Sequence, residues 1–127
     1  MIEILQQDRP ELTVFKCTGK VLSTDIEESI TAFYAGRPTR HVMWDISDAE
    51  ISELSATDVR RIAEQTKRVA HSRPGGKTAI VSAADMPFGL ARMYQAFAEL
   101  AEQNSHVEVF RSTEEALAWI GPSDSTT

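Results

Sequence analysis

The sequence predicts an α/β domain: a mixed five-stranded sheet, mostly parallel, with an antiparallel N-terminal edge hairpin and about four helices. Three observations predict it. Short apolar runs alternate with longer stretches of helical periodicity from Leu12 onward. The run Val42, Met43, Trp44 and Ile46 is nearly continuous, as in a central strand covered on both faces. Asp8-Arg9-Pro10 separates two apolar runs as a tight turn does, since proline fixes φ and aspartate tolerates turn geometry. Residues 1–121 read as one domain and 122–127 as a polar tail.

Each element has a local reason. Residues 1–7 and 12–18 form the hairpin, and Gly19 ends it. A first helix opens at Ser23-Thr24-Asp25, where Thr24 and Glu27 have capping-box spacing; Ile26, Ile30, Phe33 and Tyr34 form its buried stripe, and Gly36 and Pro38 stop it. Residues 41–46 are the third strand, and residues 47–53 an acidic loop. A second helix spans residues 55–71, with Ser55 and Asp58 as its capping pair and Val59, Ile62, Ala63, Thr66, Val69 and Ala70 inward. Arg73-Pro74-Gly75-Gly76 is a turn, residues 78–82 a fourth strand, residues 83–87 a loop and residues 88–103 a third helix with Leu90, Tyr94, Phe97 and Ala98 inward. Residues 107–110 are the fifth strand. Ser112 and Glu115 cap a fourth helix that ends at Gly121-Pro122.

Composition narrows the function classes. The 127 residues are 42% hydrophobic and 25% charged with net charge -6, which argues against a nucleic-acid binder working by bulk electrostatics. No apolar run approaches the roughly 18 residues of a membrane span, and no signal peptide is expected, so the expected compartment is the cytoplasm. The single cysteine, Cys17, excludes an intramolecular disulfide and reads as a small core residue. His41, His71 and His106 lack metal-ligand spacing and read as surface histidines near turns. Gly76-Lys77-Thr78 resembles the end of a phosphate loop, but the first glycine of that motif falls at His71 and a strand follows where a helix is needed. No cofactor and no metal are expected.

The stretch from Val42 to Val59 holds the candidate site. Asp45 interrupts the apolar strand near the sheet's carboxyl end, where ligands of open α/β sheets bind. Asp48, Glu50 and Glu53 follow it, then hydroxyls at a helix start. A phosphate there would gain from the helix dipole and be repelled by the acids, which is how a switch works. Separately, Trp44, Met86, Phe88, Met93 and Tyr94 offer large adaptable side chains for an apolar pocket.

Several of these phrases resemble a known family. The strand ending in Trp44-Asp45, the long second helix, Phe88-Gly89-Leu90-Ala91-Arg92-Met93-Tyr94, and Val109-Phe110-Arg111 with Glu115-Ala116-Leu117-Ala118-Trp119-Ile120 resemble the small bacterial SpoIIAA-like proteins of the STAS/SEC14-like class. The resemblance implies two functions. STAS domains of the anti-sigma-factor-antagonist type bind a partner kinase or sigma regulator and are switched on a serine or threonine in a D-S-S-G-like motif. The matching region here reads Ile51-Ser52-Glu53-Leu54-Ser55-Ala56, without that motif. SEC14-like relatives hold a lipid or another apolar molecule.

The expectation is therefore a non-catalytic regulatory or protein-interaction module, with Asp45, Ser52, Ser55, Thr57, Arg60 and Arg61 as partner-binding or switch residues. The alternative is a carrier of a small apolar molecule or lipid, with Trp44, Met86, Phe88, Met93 and Tyr94 lining its cleft. An enzyme using Asp45 comes third, and a raised Asp45 pKa would be its signature. The expected partner is a protein, with a homodimer through an exposed edge strand among the expected assemblies; nucleic acid is not expected.

Overall fold

The computed structural model describes residues 1–100 and 106–121. One sheet carries five strands in the order β1-β2-β3-β4-β5: β1 (Ile2–Leu5), β2 (Leu12–Lys20), β3 (His41–Glu50), β4 (Lys77–Val81) and β5 (His106–Phe110). β1 pairs antiparallel with β2, and every other pair is parallel. The helices are α1 (Ser23–Ala35), α2 (Ala56–Val69), α3 (Asp85–Leu100) and α4 (Thr113–Ile120), with a 3-10 turn at Ala70–Ser72. The predicted mixed sheet and its helices are all present.

From β2 to β5 the chain steps across the sheet in one direction. Crossovers of one hand then place the intervening helices on one face. Side chains of α1, α2 and α3 accordingly face Phe15, Val42, Trp44, Thr78 and Ile80 on that side. α4 covers the other, where Leu12, Met43, Ala79, Val81, Ala116 and Ile120 pack together. β3 lies in the middle, so its successive residues Val42 and Met43 are buried on opposite faces.

Six local readings change. β2 runs on through Gly19, expected to end it, to Lys20. β3 runs on to Glu50, so residues 47–50, expected in an acidic loop, are strand. The cause is a bulge. Lys16 pairs with Asp45 and Thr18 with Asp48, so β3 takes three steps where β2 takes two. α1 starts without the Thr24–Glu27 box: Leu22 is the cap residue, the Asp25 carboxylate accepts its N–H at 2.9 Å, and Glu27 is drawn to Arg61 instead. α3 begins at Asp85, with Pro87 tolerated in its first turn. Its fully buried stripe is Pro87, Ala91, Gln95 and Ala98, rather than Leu90, Tyr94 and Phe97, which are half-buried. Residues 101–103, expected to end this helix, lie outside the described residues. His41 is buried, because its Nδ1 accepts the Lys77 N–H at 3.1 Å, whereas His71 and His106 are exposed.

The Gly76-Lys77-Thr78 segment is structural. A Cβ at Gly76 would lie 2.3 Å from the Arg40 carbonyl oxygen. Lys77 Nζ donates to the Trp119 carbonyl at 2.9 Å and the Ile120 carbonyl at 3.3 Å, and Arg9 to the Gly121 carbonyl at 2.6 Å. Both cations thus sit at the negative end of the α4 dipole. Cys17 is a core residue, and burial pushes its thiol up to about 12.

Candidate functional site

Two places bring the predicted residues together: a shoulder at the sheet's carboxyl end and a cavity beneath α1, α2 and α3. The shoulder begins at the bulge. Residues three apart in a regular strand point to opposite faces, but the extra residue brings Asp45 and Asp48 to the same side. Both meet Lys16, whose Nζ lies 3.0 Å from Asp45 and 2.8 Å from Asp48. Asp45 also accepts the Ser47 N–H at 3.1 Å. Burial pushes the Asp45 carboxyl up, but the Ser47 backbone, Lys16 and the Ser47 hydroxyl outweigh it and hold the group below the ordinary carboxylate value. Lys16 is raised, chiefly by its hydrogen bond to Asp48 and against the opposing effect of burial. An ionised, paired Asp45 lacks the raised pKa on which the enzyme reading depends.

Beyond the bulge the chain turns into α2. The Ser52 hydroxyl donates to Glu50 in a short contact, and the Ser52 N–H donates to the same oxygen at 3.0 Å. These bonds hold Glu50 below the ordinary carboxylate value. Lys20 pairs with Glu53 across the turn. Ser55 is the N-cap of α2: its Oγ accepts the Asp58 N–H at 3.1 Å, and Asp58 accepts the Ser55 N–H at 3.0 Å. The Ser55 backbone, then Arg61, lowers Asp58. Thr57 and Arg60 are exposed on the first turns of α2, with Arg60 3.7 Å from Glu64.

Arg61, expected to read a partner's charge, is engaged within the chain. Its guanidinium reaches Glu27 at 2.8 Å, Asp58 at 2.9 Å and Ser23 at 3.2 Å, tying α2 to α1. The pocket residues divide too. Trp44 and Tyr94 line the cavity, whereas Met86, Phe88 and Met93 are not in its wall. On α3 the wall is formed by Leu90, Ala91 and Tyr94, and at about 100° per residue Phe88 and Met93 fall well to either side of them. Met86 and Phe88 fall on the first turn of α3; Met86 is exposed, and Arg111 stacks over the Phe88 ring at 3.8 Å.

The cavity holds about 120 Å³. Trp44 stacks on Phe15 with ring centroids 4.2 Å apart, and Phe33 meets Phe15 edge-on at 5.8 Å. Ile51 and Leu54, on either side of Ser52-Glu53, line it toward the carboxyl ends of the strands. Tyr94 Oη lies 2.9 Å from Thr66 Oγ1 across the α2–α3 contact. Arg73, Tyr34 and Thr78 form its lower end, at the amino ends of the strands.

This architecture matches solved structures. One is an uncharacterised protein of the DUF3478 family with a SpoIIAA-like fold from Shewanella loihica PV-4: TM-score 0.58, 17% identity, covering 94% of this chain and 92% of that one. The chain has a SpoIIAA-like fold. The Bacillus cell fate determinant SpoIIAA in its phosphorylated form matches with TM-score 0.52 and 15% identity, over 94% of this chain and 99% of that one. The anti-sigma factor antagonist SpoIIAA in its unphosphorylated form gives TM-score 0.48 and 12% identity over 91% of this chain and 93% of that one. No protein-family model and no curated protein sequence matches the chain. Among the described residues no helix is long and apolar enough to cross a membrane.

Two features of the site escape sequence reading. Lys16, the counter-ion of Asp45, is legible only once β2 and β3 are paired in register. Arg73 stands before Pro-Gly-Gly and reads as a turn residue, yet it is 5% exposed. No pattern in the surrounding sequence marks it.

Proposed function

We propose that the chain is a regulatory module that docks a protein partner on the shoulder formed by the end of β3, the turn after it and the first turn of α2. A phosphoryl group on Ser52 switches that docking. The observation that carries this reading is the bond from the exposed Ser52 hydroxyl to Glu50. Replacing the hydroxyl proton by a phosphoryl group removes the donor and sets a dianion against Glu50 and Glu53, so an attraction becomes a repulsion. The SpoIIAA-like fold supports the reading, since the Bacillus cell fate determinant that shares it has a phosphorylated form. Asp48, Glu50 and Glu53 give the shoulder an acidic surface, which suits a partner with a basic docking face. Ser55 and Thr57 are the neighbouring hydroxyls; Ser55 serves chiefly as the helix cap.

Affinity capture from the chain's own cells, with Ser52→Ala and Ser52→Glu in parallel, tests this reading. The wild type and Ser52→Ala retain a common partner, Ser52→Glu releases it, and intact mass shows a phosphoryl adduct that maps to Ser52. A partner set identical across all three proteins overturns it.

The cavity favours a second reading, a carrier of a small apolar molecule. Its volume of about 120 Å³ is close to the roughly 150 Å³ that takes up benzene, far below what a diacyl lipid fills. Native mass spectrometry after gentle purification checks it. A bound molecule of single-ring size supports the reading, and a bare chain that takes up no added toluene refutes it.

A further inference from the structure

We propose that the cavity is a binding site for a compact apolar carboxylate, its ring-sized body against Trp44 and its carboxylate at the Arg73 end. The proposal rests on the carrier reading and assigns the chemical class of the cargo. Arg73 is 5% exposed, and its guanidinium is hydrogen-bonded throughout to neutral groups. Nε donates to the carbonyls of Thr39 and Arg40, and Nη2 to those of Arg40 and Lys77. Nη1 donates to Tyr34 Oη at 3.1 Å and Thr78 Oγ1 at 3.2 Å. Among the described residues no carboxylate pairs with it. A buried cation with neutral partners alone leaves a positive potential around it, and Arg73 lines the cavity.

The two hydroxyls convert that potential into a directed contact. A guanidinium only donates, so Tyr34 Oη and Thr78 Oγ1 accept from it, and each keeps a hydrogen to give. Neither has a further hydrogen-bond partner among the described residues, although Thr78 is 7% exposed and both residues line the cavity. Two hydroxyl donors polarised by one cation make a receptor for an acceptor group, best of all an anionic one. The remaining wall, including Phe15, Trp44, Ile30, Ile62 and Ile80, is apolar and suits a ring or a short branched chain.

Titration with sodium benzoate and with toluene tests the proposal, read by Trp44 fluorescence in a Trp119→Phe background where Trp44 is the sole indole. Benzoate binds saturably and at least about tenfold more tightly than toluene, the scale of a charge-assisted hydrogen bond. Tyr34→Phe and Thr78→Val each abolish most of that preference and leave toluene affinity unchanged, which also shows that the cavity is intact. Equal affinity for the two probes overturns the carboxylate and keeps the carrier. A saturable response to neither probe overturns both. If a variant fails to fold, the wild-type preference alone decides.

Discussion

The two ends of the sheet are held together in opposite ways. At the amino ends of the strands the contacts span the chain. Arg73 reaches Tyr34, Thr39, Arg40, Lys77 and Thr78, His41 accepts from Lys77, and Lys77 and Arg9 hold the last carbonyls of α4. Most of these groups are buried or half-buried. At the carboxyl shoulder the bonds of the turn are exposed, and those of its hydroxyls are local: Ser52 to Glu50, and Ser55 with Asp58; the longer-range Lys20–Glu53 pair lies in water. Bonds that close long loops and exclude water resist change, whereas bonds between near neighbours in water can be exchanged for others at little cost. The amino end is thus built to stay, and the shoulder is built to be altered without unfolding the domain.

The sharpest way to break this contrast is Arg73→Met. It leaves two hydroxyls and three carbonyls of the network without their donor. A buried acceptor left without its donor costs about 1–3 kcal/mol, and several lose theirs together, so urea unfolding should lose about 3 kcal/mol or more. A loss under about 1 kcal/mol would mean that Arg73 is a bystander. Gly76→Ala comes next. Its Cβ would meet the Arg40 and Arg73 carbonyl oxygens at 2.3 and 2.9 Å, both backbone atoms that cannot swing aside. Overpacking of this kind costs about 1–3 kcal/mol, measurable by the same denaturation.

How much of this was legible in the sequence follows from the range of the contacts involved. Element order, the central position of residues 42–46 and the Ser55–Asp58 cap follow from periodicity and local chemistry, and all three are present. The bulge at Ile46-Ser47 was illegible, because it is a property of two strands in register rather than of either one. Its consequence, that Asp45 and Asp48 share Lys16, was hidden with it. The tie from Arg61 to Glu27 was hidden because Glu27 lies on a different helix. The pocket was partly legible: Trp44 follows from strand alternation and Tyr94 from helical periodicity, whereas Phe88 and Met93 lie on other sides of the same helix.

At the shoulder the expected effects shrink. Ser55→Ala removes the cap of α2 and costs about 1 kcal/mol in urea unfolding. A penalty as large as that of Gly76→Ala would show that the shoulder is as rigidly built as the amino end, and the proposed switch would lose its physical basis.

The smallest effect tests the bulge. The folded Asp45 carboxyl lies below its ordinary value, so its stabilisation is fully present above the unfolded value, near pH 4, and is lost as pH falls through the folded one. Glu50 and Asp58 are shifted the same way and share this acid limb. Lys16 is raised, so its share fades only above the ordinary lysine value. Asp45→Asn keeps an oxygen for the Ser47 N–H, and Lys16 keeps Asp48. The variant should therefore lose less than about 1 kcal/mol at pH 7, as a partly exposed pair does. Below pH 4 its stability should fall less steeply than that of the wild type, because the titrating group is gone. Parallel curves for the two proteins from pH 5 to pH 2 would place the acid sensitivity on Glu50 and Asp58, and with it at the turn rather than at the bulge.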